Sequence, residues 1–244
     1  MGLADIFGRR RMSFLSSGIL RNAVDSHSHV LPGVDDGVAT LQEALAVLDY
    51  EATLGVTRLW CTPHVMEDTP NDEEFLRERF NALNAAYGGP VRLSLAAEYM
   101  IDTVFEERLH EGRLLEMDDS TVLVETSSLT PPVGLHEMLR DMCSAGYRPL
   151  LAHPERYRYL SEAGYERLRA DGVHFQLNLP SMTGFYGETV MRKAQWLLRH
   201  GFYSKAGSDC YRLHVMSGQF ERKVLSVETA DALVRLLHGS EQSF

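Results

Sequence analysis

The chain has 244 residues, 44% of them hydrophobic and 24% charged, with a formal net charge of −10. That composition excludes a disordered, collagen-like or coiled-coil chain, and the acidic balance argues against a general nucleic-acid binder, which would carry a basic face. Three scattered cysteines, Cys61, Cys143 and Cys210, do not make a disulfide framework and fit a reducing cytoplasm.

Residues 1–21 read as a flexible basic arm with four arginines by Arg21. The apolar run from Met12 to Leu20 is only nine residues long and ends without a clear small-residue cleavage site, so it is not read as a leader. The functional counterpart of such an arm is weak docking to anionic lipid or to an acidic partner; membrane contact would be indirect. From residue 22 to 244 short apolar runs alternate with amphipathic stretches. Strands are predicted over Ala23–Leu31, Val56–Cys61, Val91–Ala97, Thr121–Thr126, Pro149–His153, His174–Leu179 and Tyr203–Ser208. Helices are predicted over Leu41–Leu54, Asp72–Tyr87, Asp102–Glu111, Gly134–Ala145, Gly164–Ala170, Glu188–His200 and Val227–Leu237. Leu45, Leu48 and Ala52 recur at helical spacing, and Gly55, Gly146, Gly172 and Gly201 follow helices where a left-handed cap needs no Cβ. Strand and helix alternating without a Pro/Gly/Ser linker predicts a parallel sheet in one α/β domain, a distorted seven-unit β/α barrel.

In such barrels the reactive groups gather where the strands end. The first strand ends in Asp25-Ser26-His27-Ser28-His29, and alternation puts both imidazoles on one face. His64 follows the second strand, Glu98 the third, Glu125 the fourth, His153 the fifth and Asp209 the seventh. A lone histidine there would be an ordinary core residue, but six of seven strand ends carrying His, Asp or Glu predicts a metal centre. Imidazole and carboxylate without cysteine suit Mn, Fe, Co or Zn. Four histidines with Asp36, Glu98, Glu125 and Asp209 exceed the needs of one ion, so two or three are expected, and a multinuclear site of this kind suits phosphoester hydrolysis. Arg156, just past His153, can fork onto a phosphate; its alternative is a surface ion pair with Glu155. His110, His136, His174, His200 and His238 read as surface or capping residues, and Cys61 and Cys210 as small core residues.

The segment from Asp25 to Gly37, Asp-Ser-His-Ser-His-Val-Leu-Pro-Gly-Val-Asp-Asp-Gly, resembles the first motif of the PHP metallo-phosphoesterases. The resemblance is nearest to the PHP-type protein tyrosine phosphatases of bacterial capsule and exopolysaccharide systems. It continues through Cys61–His64, Ala96–Tyr99, Leu123–Ser127, Ala152–Tyr157, Gln176–Leu179 and Ser181–Gly187. It implies a trinuclear centre, usually of manganese. His27, His29, Glu98 and Asp209 would surround one ion, Glu98, Glu125 and His153 a second, and Asp36 with His64 a third. Arg156 would grip the phosphate, with Arg212 as a second basic residue, and a metal-bridging hydroxide would attack phosphorus in line near Asp209. The implied substrate is phosphotyrosine on a tyrosine kinase that controls polysaccharide export. A small phosphate ester such as histidinol phosphate, or a catalytically impaired phosphotyrosine-binding regulator, are the alternatives. No cysteine is followed by an arginine loop with a glycine-rich cradle, so a cysteinyl-phosphate route is not expected. The sequence departs from the family's Asp-x-His at Asp209-Cys210-Tyr211, which leaves His214 as the candidate replacement ligand or the third site weak.

Overall fold

Parallel pairing organises the chain, and the computed structural model describes residues 11–238. Among these residues nine strands form: β1 Val24–Ser28, β2 Arg58–Cys61, β3 His64–Val65, β4 Arg92–Leu95, β5 Glu98–Met100, β6 Thr121–Glu125, β7 Arg148–Ala152, β8 His174–Asn178 and β9 Tyr203–Gly207. They lie in two parallel sheets of order β1-β2-β4 and β3-β5-β6-β7-β8-β9. Two of the seven expected strands, Val56–Cys61 and Val91–Ala97, are each followed by a further short strand, β3 and β5, beyond their expected ends. Pro63 has no N–H to give the ladder, so the second run stops at Cys61 and restarts at His64. Its neighbour breaks alongside it at Ala96-Ala97, with Glu98 N bonded to Pro63 O at 3.0 Å. The outer edges meet where Asp209 N donates to His27 O at 2.8 Å and His29 N to Cys210 O at 3.1 Å. The arrangement is consistent with a distorted β/α barrel.

The helices are α1 Phe14–Ser17, α2 Leu41–Leu54, α3 Glu73–Ala86, α4 Thr103–Glu111, α5 Leu135–Ser144, α6 Glu162–Ala170, α7 Glu188–Arg199, α8 Leu213–Phe220 and α9 Val227–His238. Their starts follow local capping chemistry. Thr40 and Glu43 form a capping box at α2, and Asp72, Asp102 and Ser161 accept from the first turns of α3, α4 and α6. Ser161 starts α6 two residues before the expected boundary at Gly164. The short helix α8 was not among the expected elements. Among the described residues no helix is long and apolar enough to cross a membrane.

Side-chain alternation along the strands separates two environments. Leu59, Val122, Val124, Leu151, Phe175 and Leu177 join the main core, whereas Trp60, Ala96, Met117, Leu123, Leu150 and Ala152 form a second, smaller apolar cluster. Glu125 lies two residues beyond Leu123 on the same face of β6, the face that carries this apolar cluster.

The flexible arm expected over residues 1–21 requires correction, its first ten residues lying outside the described ones. Met12 exchanges two backbone hydrogen bonds with Leu225, at 2.9 and 3.0 Å. Ser13 caps α1, whose Phe14 is 1% exposed and packs on Phe220 with ring centroids 4.9 Å apart. Ile19 and Leu20 are also buried. The physical reason is apolar burial: the run from Met12 to Leu20 covers α8 and the segment before α9. Phe14→Ala is therefore expected to cost about 3–5 kcal/mol, measured by urea unfolding, where a free arm would give no change.

Candidate metal centre

β1 is an unusual strand because its buried residues are polar: Asp25, Ser26, His27 and Ser28. Each finds a polar partner within the fold. Ser26 Oγ donates to Ala206 O and Ser28 Oγ to Trp60 O, both at 2.8 Å. Asp25 accepts from Ser208 N at 2.8 Å, Ser208 Oγ at 2.6 Å and His27 N at 3.1 Å. Burial nevertheless pushes the Asp25 carboxyl up to about 6. These bonds hold β1 against the end of β9. Gly207 makes the approach possible, since a Cβ there would sit 2.5 Å from His27 Cβ. Gly37 likewise lies against the His29 backbone, where a side chain would collide.

The predicted ligands converge on Glu98, which is fully buried. Its Oε2 is 3.2 Å from His27 Nε2, 3.3 Å from His29 Nε2 and 3.2 Å from His64 Nδ1, and its Oε1 is 3.1 Å from His153 Nε2. Asp209 Oδ1 lies 3.4 Å from both His27 and His29 Nε2. Glu125 reaches His64 Nδ1 at 3.2 Å and His153 Nε2 at 3.6 Å. Ligands bound at roughly 2.0–2.2 Å from one cation sit about 2.8–3.6 Å from each other, so this spacing is that of donors sharing ions. Buried Glu98 Oε2 and Asp209 Oδ1 have no hydrogen-bond partner, as atoms meant for a cation should. The donor set fits divalent metals. His153 and Asp209 also hold left-handed backbone, φ 36° and 50°, a strain of the kind concentrated at functional sites.

Orienting residues absent from the sequence prediction surround these donors. Asp35, not its neighbour Asp36, accepts from His29 Nδ1 at 2.8 Å and also from His64 N at 3.0 Å and Gly37 N at 2.9 Å. Gln176 Oε1 accepts from His27 Nδ1 at 3.2 Å and His153 N at 3.3 Å. Both arrangements leave Nε2 of His27 and His29 aimed into the cluster. Asn178 Nδ2 donates to Asp209 Oδ2 at 2.5 Å. The Asp-Asp doublet at 35–36 and the polar inward positions of β8 were the available signals.

Other expectations divide. Asp36 is an exposed side chain 3.7 Å from His64 Nε2. His64 faces Glu98 and Glu125 through Nδ1, so it belongs with the second group of donors more than with Asp36. His214 is corrected: it is exposed on α8 and belongs to none of the donor groups. Arg212 ties down the backbone of the loop that carries Asp36, donating to Asp36 O at 2.9 Å and to Gly37 O. The Arg156–Glu155 surface pair does not form. Glu155 is buried, accepting from Asn178 N at 3.1 Å and Tyr203 Oη at 2.9 Å, while Arg156 Nη1 lies 3.2 Å from Asp209 Oδ2. The Arg156 guanidinium also stacks 4.6 Å over the Tyr186 ring. Tyr211 lies inside the cluster, its hydroxyl 2.7 Å from His64 Nε2.

Protonation follows from the crowding. Burial opposes charge on His27 and His29, but Glu98 and Asp209 beside His27, and Asp209, Asp35 and Glu98 around His29, outweigh it and raise both, His29 strongly. Burial, reinforced by Arg156, brings His153 down to about 4. Burial and the neighbouring Glu98 push Glu125 well above the ordinary carboxyl range. Burial also pushes the Cys61 and Cys210 thiols up, and neither belongs to a donor group among the described residues.

The family model described as capsular polysaccharide synthesis, CpsB/CapC, matches residues 23–228. The tyrosine-protein phosphatase CpsB of Streptococcus agalactiae is 30% identical over 212 residues, covering 79% of this chain and 84% of that protein. The tyrosine-protein phosphatase YwqE of Bacillus subtilis is 24% identical over 232 residues, covering 87% and 91%. In fold, a solved structure from the study of YwqE and of CpsB from Streptococcus pneumoniae, described as unique metal-dependent tyrosine phosphatases, superposes with a TM-score of 0.73 at 23% identity, covering 87% of this chain and 94% of that one.

The raised histidines set a pH dependence. A His whose folded pKa lies above its unfolded value stabilises fully below about 6.5, and that contribution is lost as pH rises through the folded value. Cations compete with those protons, so the gain in melting temperature from added Mn²⁺ over EDTA should grow from about pH 6 to about pH 8. A gain independent of pH, or one that shrinks over that range, would contradict the assignment of these rings as ligands.

Proposed function

Because the chain belongs to the CpsB/CapC family of capsular polysaccharide synthesis proteins, we propose that it is a metal-dependent protein tyrosine phosphatase, a phosphoric monoester hydrolase. Its substrate is phosphotyrosine on a protein, in this reading a cytoplasmic tyrosine kinase domain that regulates capsule or exopolysaccharide export, and the enzyme acts from the cytoplasm. The observation that carries the reading is the buried cluster of four histidines and three carboxylates with a single arginine, Arg156, at its edge.

His27, His29, Glu98 and Asp209 would hold one ion, and His64, His153, Glu98 and Glu125 a second; mixed imidazole and carboxylate donors suit Mn, Fe, Co or Zn, and the family resemblance favours manganese. Bound there, divalent ions supply an activated water and neutralise phosphate oxygens. The protein's own groups do the rest. Glu98 and Asp209 keep the imidazoles in register. Arg156 is half-buried and paired with Asp209, and it would fork onto a phosphate arriving over the cluster. Tyr186 supports the guanidinium from below, and the neighbouring Phe185, 44% exposed, offers an aromatic edge for the tyrosyl ring.

Phosphate release from a phosphotyrosine peptide, with and without Mn²⁺, tests the reading against histidinol phosphate. The peptide should be the better substrate and turnover should require the metal. His27→Ala should abolish it, and Arg156→Ala should lower kcat/KM about a hundredfold. Faster hydrolysis of histidinol phosphate would make this a small-molecule phosphatase. Peptide binding without turnover at saturating Mn²⁺ would make it a regulator.

A further inference from the structure

Among the described residues three groups of donors lie close enough to hold a cation: His27–His29–Glu98, His64–Glu98–Glu125 and His29–Asp36–His64. The third differs from the other two. His29 directs Nε2 at Glu98 and Asp209 and gives Nδ1 to Asp35, so both of its nitrogens are committed. His64 turns Nδ1 to Glu98 and Glu125. What remains for the third group is His64 Nε2 and the Asp36 carboxylate, which is 74% exposed and 3.7 Å away. Tyr211 takes up the same His64 nitrogen. Its hydroxyl is 2.7 Å from His64 Nε2, and its ring stacks on His29 with centroids 4.0 Å apart and planes 19° from parallel.

We propose that Tyr211 closes this third position, so that the centre holds two ions and presents a phenolic O–H to the substrate phosphate where a third cation would stand. The inference rests on the metal centre proposed above. An imidazole that ligates through Nδ1 carries its proton on Nε2. His64 Nε2–H then donates to the Tyr211 oxygen, and the phenolic hydrogen is left to point away from His64 into the cleft. There it can donate to a phosphoryl oxygen; it forms a hydrogen bond only, and no proton is transferred. Stacking on His29 fixes the ring, so the donor is set in place before substrate arrives. A phenol is also a poor ligand for these ions unless it loses its proton, whose ordinary pKa is about 10.

The test is ion content per chain, measured by elemental analysis after equilibrium dialysis against Mn²⁺, for the native protein, Tyr211→Phe and Tyr211→His. Two ions are expected for the native protein and for Tyr211→Phe, and three for Tyr211→His. On a phosphotyrosine peptide, Tyr211→Phe should turn over about a hundredfold more slowly while keeping the native ion content. Three ions on the native protein would overturn the proposal. So would two ions on a Tyr211→His variant with native circular dichroism, or native turnover by Tyr211→Phe. A native protein that binds no ion would overturn the metal centre itself, a result distinct from either.

Discussion

Burial of one carboxylate organises this protein. Glu98 is out of reach of water, and four imidazoles from three other strands or their ends crowd its two oxygens. A lone charge at such depth would cost several kcal/mol. It is tolerable only where protons on the histidines or cations among them balance it. The breaks at Thr62-Pro63 and Ala96-Ala97 follow from the same requirement. By interrupting two adjacent ladders they set His64 opposite Glu98 in register, and both residues are buried. Barrel distortion and site geometry are one feature.

Much of this was legible in the chain. Strand ends announce themselves where an apolar run stops at a histidine or acid, and parallel topology dictates that those ends gather at one rim. His27, His29, Glu98, Glu125, His153 and Asp209 could therefore be named without coordinates. Orientation could not. That His64 shows Nδ1 to the carboxylates and Nε2 to Tyr211 depends on a rotamer, and rotamers are set by packing. Asp35 and Asp36 are adjacent and chemically identical; only the loop backbone, pinned by Arg212 and by Gly37's contact with His29, decides which one faces inward.

Short elements were harder still. α1 has four residues and α8 eight, too few for a helical period to emerge. The arginines before Met12 dominate the composition of the N-terminal stretch, yet the energy lies in Phe14, Ile19 and Leu20, which have somewhere apolar to go. Arg156 illustrates the converse. The ion pair with Glu155 that adjacency offered as the alternative to a phosphate does not form, because that carboxyl is taken by Asn178 N and Tyr203 Oη within the fold.

The seam between β1 and β9 has a consequence for biogenesis. Ser26 Oγ bonds a carbonyl 180 positions later in the chain, and Asp25 a serine 183 positions later. His27 and Asp209, whose Nε2 and Oδ1 lie 3.4 Å apart, come from opposite ends of the sequence. No ribosome-bound fragment lacking β9 can assemble the full donor set, and contacts of such long separation form late in folding. Completion of the His27–His29–Glu98–Asp209 group is thereby coupled to completion of the chain, whereas His64, Glu98, Glu125 and His153 all precede β9.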